Sequence, residues 1–133
     1  MSQVSVRYIV HDVDAAIDFY VRRLGFEVVM HPAPAFAMLS RGDLRLLLNT
    51  PGGSVGAGQE LPDGRVPEPG GWNRIHLVVD DLAAEVERLR AAGLSFRSDI
   101  ISGPGGSQIV LDDPAGNPIE LFQPTRDEAR LGR

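Results

Sequence analysis

The chain has 133 residues, a net charge of -5 and no cysteine, with 43% hydrophobic and 23% charged residues. That length fits one domain, or two half-domains sharing a core, and the lack of cysteine excludes disulfides, thiolate nucleophiles and zinc–cysteine sites. The acidic balance argues against a nucleic-acid or anionic-membrane partner, because either needs a basic face.

No apolar run reaches the ~18 residues of a membrane helix, and the N-terminus lacks the basic and apolar regions of a signal peptide. The expected location is the cytoplasm. The first predicted strand is Val4 to Val10. Alternation puts Val6, Tyr8 and Val10 on one face and Ser5, Arg7 and Ile9 on the other. A helix follows from about Val13 to Leu24, capped by Asp12 or Asp14 and stopped by Gly25. Val13, Ile17, Tyr20 and Leu24 make its buried stripe. Three short strands come next: Phe26 to Met30, Phe36 to Ser40 and Leu44 to Asn49. Pro32 and Pro34 separate the first two, and Arg41-Gly42-Asp43 reads as a hairpin turn.

Residues 51–71 are rich in Gly and Pro and lack a helical period, so they read as a linker that covers a site or simply joins two halves. The second half repeats the order of the first. A strand from Arg74 to Val79 leads into a helix from Leu82 to Ala92, stopped by Gly93. Strands are predicted near Leu94 to Ile101, Gln108 to Asp112 and Ile119 to Gln123, with a turn at Asp113-Pro114-Ala115-Gly116-Asn117. The charged tail 125–133 is expected to fray. Asp12 aligns with Asp81 at an offset of 69, and Leu47 with Glu120 at an offset of 73. The predicted class is α+β: two βαβββ modules in tandem, residues 1–50 and 72–124, forming a curved mixed sheet around a cleft.

This order resembles the vicinal oxygen chelate superfamily of glyoxalases, bleomycin-resistance proteins and extradiol dioxygenases. The resemblance rests on Asp12-Val13-Asp14-Ala15-Ala16-Ile17-Asp18-Phe19-Tyr20 with Leu24-Gly25-Phe26, on Val79-Asp80-Asp81-Leu82, and above all on Asp113-Pro114-Ala115-Gly116-Asn117-Pro118-Ile119-Glu120-Leu121. Members that use a metal carry four ligands, usually His and Glu, on the first and last strands of each half. The resemblance places those positions at Ser5, Leu47, Arg74 and Glu120. Only Glu120 is an ordinary ligand, and Arg74 puts a permanent positive charge where a cation would sit. No cofactor is therefore predicted; a divalent ion held by Glu120 and His76 stays as the alternative. The resemblance also implies a homodimer, with each cleft formed within one chain or between two.

Strand alternation directs Arg7, Arg74, His76 and Glu120 toward the cleft, beside Ile9, Leu47, Val78 and Phe122, with Arg45 and Asn49 on the same face of their strand. Arg74 and Glu120 read first as an internal ion pair. They read second as an anchor for an anionic or carbonyl-bearing ligand. His76 is the general-base candidate, set against a plain hydrogen-bonding wall residue. His11 and His31 read as exposed loop residues. Trp72 either closes the linker over the cleft or packs at the junction of the halves, the second being preferred. The Gly-rich run from Pro51 to Gly58 lacks the Lys-Ser/Thr ending of a phosphate loop. Two functions remain. One is a binding protein of the bleomycin-resistance type that takes a small organic ligand in a metal-free cleft. The other is a metal-dependent or acid–base lyase, isomerase or dioxygenase.

Overall fold

The structure, a computed structural model, describes residues 4–52 and 56–125. The tail beyond Thr125 and the centre of the Gly-rich run lie outside the described residues. Two compact units divide the chain: Met1–Gly71 with Asp113–Asn117, and Trp72–Asp112 with Pro118–Arg133.

The first unit holds β1 (Val4–Ile9), α1 (Val13–Leu24), β2 (Glu27–Ala33), β3 (Phe36–Arg41) and β4 (Leu44–Asn49). Its strands form one mixed sheet in the order β1-β4-β3-β2. β1 runs parallel to β4, and the other two pairings are antiparallel. The Asp12 carboxylate accepts from Ala15 N at 3.1 Å and starts α1. Gly25 ends it at φ 73°, a left-handed conformation that glycine adopts without a Cβ clash. The helix buries Val13, Ala16, Phe19, Tyr20 and Leu24. Phe19 thus takes a place in the stripe that the 3.6-residue period assigned to Ile17, which is only half-buried. On the sheet the buried residues are Tyr8, Ala37, Leu39, Leu46 and Leu48, with Val10 buried just beyond the end of β1. β2 continues through His31 and Pro32, so His31 stands on a strand rather than in a loop. This is open to it because β2 is the edge of its sheet, where proline removes no ladder donor that matters.

The second unit holds β5 (Ile75–Val78), α2 (Leu82–Ala91), β6 (Ile101–Gly103), β7 (Gly106–Asp112) and β8 (Pro118–Pro124), in the sheet order β5-β8-β7-β6. Asp81 caps α2 as Asp12 caps α1, accepting from Ala84 N at 3.0 Å. The aligned aspartates therefore do the same work in both repeats. The strand predicted over Leu94 to Ile101 does not form as such. Phe96 makes an isolated bridge with Leu111, and pairing resumes only at Ile101. Ser98 Oγ donates to its neighbour Asp99 O at 2.8 Å, a local bond that competes with a ladder. Pro104 and Gly105 form the two-residue turn between Gly103 and Gly106, which face each other across the β6–β7 hairpin. Thr125 is not frayed. Its N donates to Gly105 O at 3.0 Å and its Oγ1 to Pro104 O at 3.1 Å.

Candidate functional site

The site grows from the parallel pairing of β5 with β8, which sets His76 opposite Glu120 and Val78 opposite Phe122. Ile75 and Leu77 point into the core at 6% and 4% exposure, so the period of two turns Arg74, His76 and Val78 to the other face. On β8, Ile119 and Leu121 are buried and Glu120 and Phe122 share the face of His76. β7 continues the row, because Val110 pairs with Glu120 and Gln108 with Phe122.

Glu120 is a carboxylate at only 8% exposure. Burial of an unpaired charge is costly, so partners are required. Arg74 supplies the first: its Nε lies 3.0 Å and its Nη2 2.9 Å from Oε1. The second oxygen faces His76 Nε2 at 3.6 Å. The His76 ring also lies against Phe122, with centroids 4.7 Å apart and planes tilted by 40°. Gly106 leaves room for that phenyl ring, since a Cβ there would lie 2.8 Å from Phe122 Cζ. Arg74 reaches back as well, and its Nη1 donates to Trp72 O at 3.3 Å.

The other sequence candidates belong to the first unit. Arg7 is exposed on β1 opposite half-buried Leu47 on β4, and Leu47 in turn faces Met38 on β3. Ser5 pairs with Arg45 two residues earlier on the same face. Asn49 is buried at 8% exposure, and its Oδ1 has no hydrogen-bond partner among the described residues. His11 is exposed, and His31 Nε2 lies 3.9 Å from Asp14 Oδ1. Among the described residues, no three of His, Asp and Glu come together in a group that could hold a metal ion.

Two features escaped the sequence reading. Trp72 is 73% exposed rather than packed away, and its ring stacks on Arg97, whose Cζ lies 4.7 Å from the ring centroid. Arg97 is itself tied to Asp112 at 2.7 Å. The approach of residues 25 apart leaves no periodic trace in the sequence. The second feature is the buried Asp113 carboxylate. It accepts from Ala115 N, Asn117 N, Asn117 Nδ2 and the Tyr20 hydroxyl at 2.8–3.0 Å. Asn117 further donates to Ile9 O and accepts from Gly70 N. Burial, together with the adjacent Asp113 carboxylate, holds the Tyr20 hydroxyl well above the usual tyrosine pKa of 10.0. The resemblance motif Asp113 to Leu121 contains this turn, and its Asp and Asn are therefore structural residues of the first unit.

Comparison with known proteins follows this geometry. A structure described as a member of the glyoxalase/bleomycin resistance protein/dioxygenase superfamily from Sphaerobacter thermophilus is 28% identical, with a TM-score of 0.73 over 92% of this chain and 97% of that one. TnmS3, an antibiotic binding protein from a Streptomyces species, is 28% identical with a TM-score of 0.69 over 94% of this chain and 98% of that one. Lactoylglutathione lyase from Agrobacterium tumefaciens is 26% identical with a TM-score of 0.68 over 92% of each chain. A family model matches residues 2–121, nearly the whole described chain, and on that match the chain belongs to the Glyoxalase/Bleomycin resistance protein/Dioxygenase superfamily.

Proposed function

We propose that this protein binds a small organic molecule carrying a carboxylate or carbonyl oxygen, on the sheet face formed by Arg74, His76, Glu120 and Phe122, and that it does so without a metal. The observation that carries the reading is the Arg74–Glu120 pair, with two guanidinium nitrogens within 3.0 Å of one carboxylate oxygen. In the family resemblance these are two of the four metal-ligand positions. Here one is a permanent cation bonded to the other, so the donor set does not suit a divalent ion. The same guanidinium is 26% exposed along its side chain and can offer its remaining N–H groups to a ligand oxygen. Phe122 and Val110 supply apolar surface beside it. The likeness to an antibiotic binding protein at 28% identity supports a binding role for this fold.

The test is a thermal-shift and calorimetric screen of organic acids and antibiotics, run beside nickel, zinc, manganese and iron salts. Saturable binding of an organic ligand, weakened at least ~10-fold by Arg74→Ala, is the expected result. A stoichiometric metal that stabilises the protein would overturn the metal-free reading.

A second reading has one observation in its favour, the 3.6 Å approach of His76 Nε2 to Glu120 Oε2. A carboxylate that orients an imidazole is an acid–base arrangement, and the likeness to a lactoylglutathione lyase at 26% identity points the same way. It predicts turnover of an added substrate that His76→Ala abolishes. Full activity in that variant would remove it.

A further inference from the structure

The exposed indole of Trp72 is the feature that the binding reading leaves unused. An exposed tryptophan ring is ordinarily free to move and to find apolar cover. This one is held at both ends of the residue. Its carbonyl accepts from Arg74 Nη1 at 3.3 Å. Its ring lies on the Arg97 guanidinium at 4.7 Å, and Arg97 is fixed in turn by Asp112 at 2.7 Å and by its own N donating to Val110 O at 2.8 Å. The cation covers one face of the indole. With 73% of the residue exposed, the opposite face stays open.

The register shows where that open ring stands. Val110 pairs with Glu120, and Asp112 follows Val110 by two residues, so Asp112 and Glu120 share one sheet face as diagonal neighbours. Diagonal neighbours lie about 7–8 Å apart. The two ion pairs, Arg74–Glu120 and Arg97–Asp112, therefore stand side by side, and Trp72 is fastened to both.

We infer that Trp72 is a stacking platform, and that the ligand is a planar aromatic molecule with an oxygen-bearing substituent. This deepens the binding function proposed above and rests on it. Arg97 acts as the support, since its guanidinium orients the indole without touching the ligand. Aliphatic acids of the same charge and size find the Arg74 anchor but nothing flat to lie on.

The test uses 2-naphthoate as the aromatic probe and decahydro-2-naphthoate as its saturated counterpart, titrated calorimetrically against the intact protein. The expected result is a preference for the aromatic probe of at least ~10-fold, lost in Trp72→Ala and largely kept in Trp72→Phe. Trp72 is the single tryptophan of the chain, so quenching of its emission on binding provides a second readout. Because the ring is exposed, Trp72→Ala should keep its melting temperature, and circular dichroism checks this. Equal affinity of Trp72→Ala and the parent for 2-naphthoate would overturn the platform while leaving the Arg74 anchor intact, which Arg74→Ala shows separately. Equal binding of the two probes by the parent, or binding of neither, would also overturn it. Conversion of a dimer to a monomer by Trp72→Ala, with probe affinity unchanged, would assign the indole to a contact between copies of the chain and overturn the inference.

Discussion

Glu120 is charged and 8% exposed, and its tolerance of burial depends on Arg74. Removing the guanidinium leaves a desolvated carboxylate facing His76 Nε2 at 3.6 Å. Arg74→Ala should therefore lower stability by about 2 kcal/mol, less than for a fully buried pair because the Arg74 side chain is 26% exposed. Replacing both partners by methionine removes the charge along with its partner, and the double variant should lose less than ~1 kcal/mol. Urea unfolding of the two variants measures both values. A double variant as unstable as the single one would show that the pair holds the strands by more than mutual compensation. Alternation along β5 and β8 made Arg74, His76, Glu120 and Phe122 legible as residues sharing a face. It could not show that Trp72 stands on Arg97, because that contact is set by a bend and a broken strand rather than by a period.

The two helices differ in how firmly they are held. α1 buries five residues and α2 buries three, so α2 should open more readily. Native-state hydrogen exchange is expected to show faster exchange across Leu82–Ala91 than across Val13–Leu24. The capping aspartates are equivalent in geometry, with 3.1 and 3.0 Å bonds to the third residue beyond them. Asp12→Ala and Asp81→Ala should each cost about 1 kcal/mol in chemical denaturation. On the sheet side, Gly106 cannot accept a side chain without a shift of its neighbours. A Cβ would approach Gln123 O to 2.3 Å and Phe122 Cζ to 2.8 Å. Gly106→Ala should destabilise by about 2–3 kcal/mol and change the surroundings of Phe122, which the chemical shifts of its ring would report. Helix boundaries and caps were readable in the sequence because local hydrogen bonding decides them. The interruption between Leu94 and Ile101 was not, because a strand exists only where a neighbour pairs with it.

At the scale of the whole chain, Tyr20 and Asp113 lie 93 residues apart in sequence and 2.8 Å apart in the fold. The folded state raises the Tyr20 pKa by burial and by the neighbouring carboxylate, so folding favours the protonated phenol. The stability from this group is fully present below the ordinary tyrosine pKa of about 10 and is lost as pH rises through the higher folded value. Melting temperature should thus fall in the alkaline range above about pH 10, and Tyr20→Phe should flatten that part of the profile. The variant also removes one buried hydrogen bond and should cost about 1–2 kcal/mol at neutral pH. An unchanged alkaline slope in Tyr20→Phe would assign the loss to other groups.

The sequence by itself determined the tandem βαβββ order, both helices with their caps, and the faces of β5 and β8. Each of these follows from short-range periodicity or from a side chain bonding within a few residues of its own backbone. Tertiary structure decided the rest. Whereas the Arg74–Glu120 ion pair was already expected from the sequence, it stacked Trp72 on Arg97 and buried the Asp113 carboxylate under Tyr20. These pairings depend on which strands become neighbours and on what each buried charge must find once water is gone, and neither is written at any fixed spacing along the chain.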